Sequence, residues 1–146
     1  MVHALEITRS LLKPDGLLID IHPTSQPPRV EVHRDGADQL AGYVADRDDF
    51  IDYIRADQAL LEAEARGLFR LERQKYFPFL YHADTLTEMT DHIAAEWSSA
   101  VIPQETLARA QQLMGQPGQA AEIVIREPIR ISRFQALSPA TSPTRP

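Results

Sequence analysis

The fold depends on one stretch near the start of the chain, Ser10-Leu-Leu-Lys-Pro-Asp-Gly-Leu-Leu-Ile-Asp-Ile-His-Pro23. Residues 2–13 carry apolar side chains at helical spacing, which predicts a helix with one buried face. Pro14 cannot continue that helix, and Asp15-Gly16 supplies a turn in which we expect Gly16 to take a positive φ. Leu17–Ile21 is a nearly continuous apolar run, typical of a strand covered on both faces, and such strands are mostly parallel and central.

Further strand and helix patterns follow along the chain. They predict a hairpin over 29–44, a helix over 47–66 capped by Asp46, an edge or bulged strand over 69–82 interrupted by Pro78, a helix opened by Thr85-Leu-Thr-Glu88, a helix after Pro103 and an alternating strand over 122–135. The fold class is therefore α/β, or α+β by strand count, with helices flanking a mixed sheet. We expect one domain over 1–137 and a disordered proline- and serine-rich tail over 138–146.

Composition excludes several classes of function. The chain has 146 residues, no cysteine and a net charge of −6, so disulfides, thiolate zinc sites and a cysteine nucleophile are ruled out. Its positive charges are scattered rather than gathered into a basic stripe, so nucleic acid is not an expected partner. No apolar run approaches a membrane span, and the first helix is too short and too charged for a signal peptide. We expect a cytoplasmic protein.

The opening stretch resembles part of a known family. Leu12-Lys-Pro-Asp-Gly16 followed by Leu17-Leu-Ile-Asp20 is similar to the joint before the fifth strand in class I S-adenosylmethionine-dependent methyltransferases. The resemblance implies that Leu17–Ile21 is that central fifth strand, with 69–82 as the sixth strand and 122–135 as the seventh. In that family the last two strands form an antiparallel pair, and the final strand is inserted between the fifth and the sixth.

The chain departs from the family at the methyl-donor site. The family builds that site in its first half, from a glycine-rich turn after one strand and an acidic residue after the next. This sequence has no such turn, because its six glycines, at 16, 36, 42, 67, 115 and 118, all fit turns or helix ends. The sequence therefore resembles the second half of a methyltransferase that begins in the middle of the fold. We expect no cofactor, with S-adenosylmethionine bound only if another chain completes the site.

The candidate ligand rim consists of His22, Tyr43 and Tyr53. His22 follows the predicted central strand, at the edge where open α/β sheets bind ligands, and the alternative is a loop histidine held by Pro23. Tyr43 and Tyr53 could overhang the same rim or serve as packing aromatics. The histidines show no metal-binding spacing, and the acidic residues between Asp46 and Asp52 fit the first turn of a helix. No catalytic residue stands out.

Two arginines of the last predicted strand could form an anion site or ion pairs. Arg126 and Arg130 share one face of the last strand, close to Glu127, and Glu72 is expected on the neighbouring strand. Ion pairing across the sheet is the simpler interpretation of these charges, and an anion site on that face is the other.

Three functions remain open. The first is a methyltransferase-like domain without its own donor site, which does not catalyse alone. The second is a small-molecule-binding or assembly module, and the third is a subunit of a split methyltransferase. Because no lysine or proline protects Leu17–Ile21, and its expected neighbouring strand is missing, we predict a homodimer through that edge and the first helix.

Overall fold

The computed structural model describes residues 1–115 and 120–138 of the chain. This part contains four helices and seven strands, which confirms a mixed helix-and-strand fold. In chain order they are α1 (Val2–Leu11), β1 (Leu17–Pro23), β2 (Arg29–Arg34), β3 (Ala37–Tyr43), β4 (Ala45–Asp46), α2 (Ile51–Ala65), β5 (Phe69–Ala83), α3 (Leu86–Glu96), β6 (Ala100–Val101), α4 (Gln104–Met114) and β7 (Ala121–Ala136).

The chain forms two compact units, each built from separate stretches of sequence. The first unit contains Met1–His22, Asp52–Tyr76 and the chain from Arg130 onward, and the second contains Pro23–Ile51 and Phe77–Ile129. Each of the long strands β5 and β7 is divided, with one part in the first unit and the other part in the second. The single domain expected over 1–137 remains a prediction.

In the first unit, β7 pairs with β1 and with β5. Arg70 contacts Gln135, and Glu72 bonds Arg133 at 2.8 Å, so the numbering falls on one strand as it rises on the other. The β5–β7 pair is therefore antiparallel, as the resemblance to the methyltransferase family implies. A core of Leu60, Ala63, Phe69, Phe134 and Ala136 joins this sheet to α2, and Leu5 of α1 and Leu12 just after that helix pack against it.

The position of β1 corrects one prediction. β1 ends the strand order and has β7 as its only strand neighbour in the described residues. It runs antiparallel to β7, because Gly16 O accepts from Ala136 N at one end and Thr24 N donates to Pro128 O at the other. Its side chains alternate between exposed and half-buried. The apolar run 17–21 is thus an antiparallel edge strand with one open face, and not a parallel, central strand covered on both faces.

The joint between α1 and β1 also differs from the prediction. Gly16 N donates to Lys13 O at 2.9 Å, which closes a turn around Pro14 and Asp15. Asp15 takes the positive φ, at 61°, and Gly16 does not. Gly16 is needed for space instead, because a Cβ at that position would lie 2.9 Å from Lys13 O. Proline at the first central position and a left-handed residue at the second are typical of a type II turn.

Helix α2 starts later than predicted and ends where predicted. Asp46 Oδ1 accepts from the backbone N–H groups of Asp48 and Phe50, which lie in a turn before the helix. Asp46 therefore stabilises that turn and does not cap the first residues of α2. At the other end, Gly67 has a φ of 70° and donates to Glu64, while Leu68 N donates to Ala63 O. These two bonds form a Schellman motif, so glycine ends the helix as its position predicts.

The second unit contains the predicted hairpin. β2 and β3 pair antiparallel around Asp35 and Gly36, whose φ values of 53° and 78° fit a type I′ turn. β2 also pairs antiparallel with β7. The core includes Val30, Val32, Met89, Ile93, Ala110, Ile123 and Ile125, and Trp97 packs against it. The Thr85 hydroxyl accepts from Glu88 N, so the predicted cap of α3 is present.

Two regions bear on the remaining predictions. The expected tail 138–146 lies outside the described residues from 139 onward, as does Gly118. In the described ranges 1–115 and 120–138, no helix is long and apolar enough to cross a membrane.

Candidate functional site

His22 is the centre of a polar cluster in the first unit. Its Nδ1 lies 2.8 Å from Asp20 Oδ2, and its Nε2 lies 2.9 Å from Asp57 Oδ1. Arg130 also contacts Asp57, and its NH2 group is 3.1 Å from His22 Nε2. Since Asp57 belongs to α2 and Arg130 to β7, the cluster connects the inner side of β1 to both elements.

The hydrogen bonds of His22 allow two arrangements. A carboxylate only accepts, so a ring protonated on both nitrogens donates to Asp20 and to Asp57 at once. A ring that carries its only proton on Nδ1 still donates to Asp20 and accepts from Arg130 at Nε2. Either form keeps both nitrogens occupied by groups of the protein.

This arrangement favours a structural clamp over a catalytic group. An Asp20–His22 pair orients an imidazole as in a general base, but the Nε2 that would act is already within bonding distance of Asp57 and Arg130. The His22 side chain is only 13% exposed, which leaves little access for a substrate atom. Arg130 Nε is buried and has no hydrogen-bond partner among the described residues. We therefore interpret the cluster as a tie between β1, α2 and β7.

The two tyrosines of the predicted rim lie in different units. Tyr53 lies on α2 in the first unit, one helical turn before Asp57, and is half-buried. Tyr43 is the last residue of β3 in the second unit, where it is 48% exposed. His22 is the predicted rim residue at the centre of the polar cluster.

The arginines of β7 pair with particular carboxylates. In the second unit, Arg126 Nε donates to Glu31 at 2.8 Å and its NH2 group donates to Asp38 at 3.1 Å, so ion pairing across the sheet is confirmed for this residue. Glu72 pairs with Arg133 rather than with Arg130. Arg126, Arg130 and Arg133 each pair with at least one carboxylate, which argues against a free anion site on this strand.

β1 presents an edge with no strand beside it in the described residues of the first unit. Leu17, Ile19 and Ile21 are 47%, 50% and 58% exposed, on the face opposite Leu18 and His22. Leu18 packs against the core. A strand edge with apolar side chains and unpaired backbone groups is a surface on which another strand can add.

The second unit has an open cleft of about 450 Å³ beside the hairpin turn. Its lining includes His33, Asp84 and Glu122. The histidines nearby are already paired, His33 with Asp38 at 2.6 Å and His82 with Glu122 at 3.1 Å. In the part of the chain that the structure describes, no group of three or more histidine, aspartate or glutamate residues is placed to hold a metal ion. The cleft offers weaker support for a ligand site than the β1 edge offers for a partner.

Sequence reasoning did not place Asp20, Asp57 or Arg130 beside His22. The signal within β1 was available, because Asp20 and His22 are two residues apart and lie on one face of any strand. Asp57 and Arg130 come from distant parts of the chain, and only the packing of α2 and β7 brings them to His22.

Comparisons of the chain with protein-family models, with curated proteins and with solved structures gave no match.

Proposed function

We propose that this chain is an assembly module that works by pairing its first strand with a second copy, and that it does not catalyse a reaction alone. The observation that carries this proposal is the free edge of β1, with Leu17, Ile19 and Ile21 exposed beside it. The cluster of His22 with Asp57 and Arg130 supports it, because a strand held firmly on its inner side presents a regular edge.

The methyltransferase-like character of the chain is part of the same proposal. In the first unit β7 lies between β1 and β5 and is antiparallel to both, which is the arrangement expected of the family's last three strands. The free edge of β1 is then the side on which the family's fourth strand stands. This order supports a relation to the second half of that fold, without a donor site.

The oligomeric state tests the proposal most directly. Sedimentation at micromolar concentration should give twice the chain mass of 16.4 kDa. Ile19→Lys should return the protein to the monomer mass, since a lysine on an edge strand opposes pairing. Leu61→Lys is the matched control, because Leu61 is a 67% exposed apolar residue of α2 and should leave the mass unchanged. A monomeric parent protein would refute the proposal.

A split methyltransferase predicts a different result. A chain that supplies the missing half would occupy the same edge, and the isolated chain would then sediment as a monomer.

A cytoplasmic location also belongs to the proposal and is supported by the composition, with no cysteine and a net charge of −6.

A further inference from the structure

We infer the register of this contact: the second copy pairs antiparallel with β1 so that Ile19 lies opposite Ile19 of the partner subunit. This inference rests on the proposed assembly function and adds the position of its two-fold axis. Leu17 would then face Ile21 of the partner subunit, and Ile21 would face the partner's Leu17.

The hydrogen bonds of β1 show which backbone groups are available. Gly16 O accepts from Ala136 N at 2.8 Å, and Thr24 N donates to Pro128 O at 2.9 Å. Residues of an antiparallel strand alternate between bonding one neighbour and the other. The even-numbered residues of β1 therefore point their N–H and C=O groups at β7, and the odd-numbered ones point theirs at the free edge. Those odd residues are Leu17, Ile19 and Ile21, followed by Pro23, which has no N–H to offer.

Hydrogen bonding favours a two-fold axis at either Ile19 or Asp20. With the axis at Ile19, each of the three odd residues meets another odd residue that has both a donor and an acceptor. A hydrogen-bonded antiparallel pair exchanges two bonds, so three such pairs give about six. An axis at Leu18 brings the turn residue Asp15 opposite Ile21 and loses bonds. An axis at Asp20 keeps a similar number, although its outer pairs include Pro23.

Charge decides between the two remaining registers. An axis at Asp20 would set this carboxylate directly opposite Asp20 of the partner subunit, and like charges across a sheet are destabilising. An axis at Ile19 places Asp20 opposite Leu18 of the partner subunit instead. Asp20 also keeps its bond to His22 in that register, because its side chain lies on the inner face.

The side chains on the outer face are self-complementary in the same register. Two isoleucines meet at the axis, and a leucine–isoleucine pair lies on each side. Aliphatic and β-branched cross-strand pairs of this kind each stabilise a sheet modestly. Three exposed apolar residues per chain thus become one continuous group of six across the joined edges.

The natural absence of cysteine makes the register measurable. In the Ile19→Cys variant, a disulfide can form only between two copies, and opposite residues of a hydrogen-bonded pair lie about 5.5 Å apart, within disulfide range. In the single controls Leu17→Cys and Ile21→Cys, each cysteine would lie about 13 Å from its counterpart, four residues along the strand. The variant carrying both Leu17→Cys and Ile21→Cys should again crosslink.

Mild oxidation followed by non-reducing electrophoresis gives the readout, with sedimentation of each reduced variant as a check on the dimer. We expect at least a tenfold higher crosslinked fraction for Ile19→Cys than for either single control. Crosslinking of a single control above Ile19→Cys in a protein that still dimerises would overturn the register and leave the assembly proposal standing. A reduced parent protein that is monomeric would overturn both.

Discussion

His22 Nε2 lies 2.9 Å from Asp57 Oδ1, and this contact joins residues that are 35 positions apart in the chain. Because His22 belongs to β1 and Asp57 to α2, the bond fixes the helix against the edge strand. The same nitrogen is within reach of Arg130 on β7, so one imidazole holds three elements together. The stability of the first unit should therefore depend on this side chain.

We expect His22→Ala to lower the free energy of unfolding by about 1–3 kcal/mol, since it removes the bonds of His22 to Asp20 and to Asp57 in a mostly buried place and leaves Asp57 with Arg130 alone. Urea denaturation at pH 7 measures the change. His33→Ala is the control, because the His33 side chain is 41% exposed and its loss should change stability by no more than about 0.5 kcal/mol. Equal effects of the two variants would refute the clamp.

Gly42 should not tolerate a side chain. A Cβ at Gly42 would lie 2.9 Å from Thr106 Cβ and closer still to its hydroxyl, and Thr106 is buried. Overpacking of this kind typically costs about 1–3 kcal/mol, so Gly42→Ala should lower the thermal midpoint. Combining it with Thr106→Ala should recover part of the loss, because the hydroxyl and methyl groups that crowd the site are removed. Simple additivity of the two changes would contradict this packing.

Asp46 should stabilise the second unit most at neutral pH. Burial raises its pKa, but bonds from the Ser99 hydroxyl, from the backbone N–H groups of Asp48 and Phe50 and from Trp97 outweigh burial and lower the pKa below 3.8. This stabilisation is fully present when the pH is above the pKa of Asp46 in the unfolded chain. It is lost as the pH falls through the lower pKa of the folded chain. Asp46→Asn should cost about 1–2 kcal/mol at both pH 7 and pH 5, and less at pH 3.

Urea denaturation at those three pH values measures this difference. Asp48→Asn serves as the matched control, because the Asp48 side chain lies exposed in the same turn. A cost of Asp46→Asn that grows on acidification would contradict the assigned hydrogen bonds.

Glu127 should behave in the opposite sense. Burial raises its pKa above 4.5, so the charged form is disfavoured in the folded chain. The resulting loss of stability is fully present when the pH is above the raised pKa of Glu127 in the folded chain. It disappears as the pH falls below the pKa of Glu127 in the unfolded chain. We expect Glu127→Gln to stabilise the protein at pH 7 and to lose that advantage near pH 4. A variant less stable than the parent at pH 7 would mean that the carboxylate has a favourable partner.

The isolated chain should not bind S-adenosylmethionine or S-adenosylhomocysteine. No glycine-rich turn follows a strand in the sequence to receive the donor. Titration calorimetry of the purified chain with each compound is the measurement. A dissociation constant in the micromolar range would contradict the prediction, because it corresponds to about 8 kcal/mol of binding.

Local sequence signals predicted which helices, strands and turns form better than they predicted which strands lie side by side. The hairpin turn at Asp35-Gly36, the cap at Thr85 and the helix end at Gly67 all depend on residues close in sequence, and all three are present. The place of β1 depends on which strands lie beside it. An apolar run such as Leu17–Ile21 fits a strand buried on both faces and also an edge strand with an open face, and only the pairing with β7 distinguishes them.

The candidate site was predictable to the same limited degree. His22 was identified by its position at the end of a strand, but its partners Asp57 and Arg130 come from elements whose packing no local pattern gives. Long-range contacts of this kind decide whether a histidine is available to a ligand or enclosed by the protein.

The division of the first unit among three stretches of chain has a consequence for protein synthesis. β1 can pair with β7 only after about 100 intervening residues have been made, which takes roughly 5–20 s at usual translation rates. During that interval the nascent chain carries Leu17, Ile19 and Ile21 with neither side of their strand paired. Ribosome-associated chaperones would meet this segment early, and slowing elongation should raise the aggregated fraction of newly made protein.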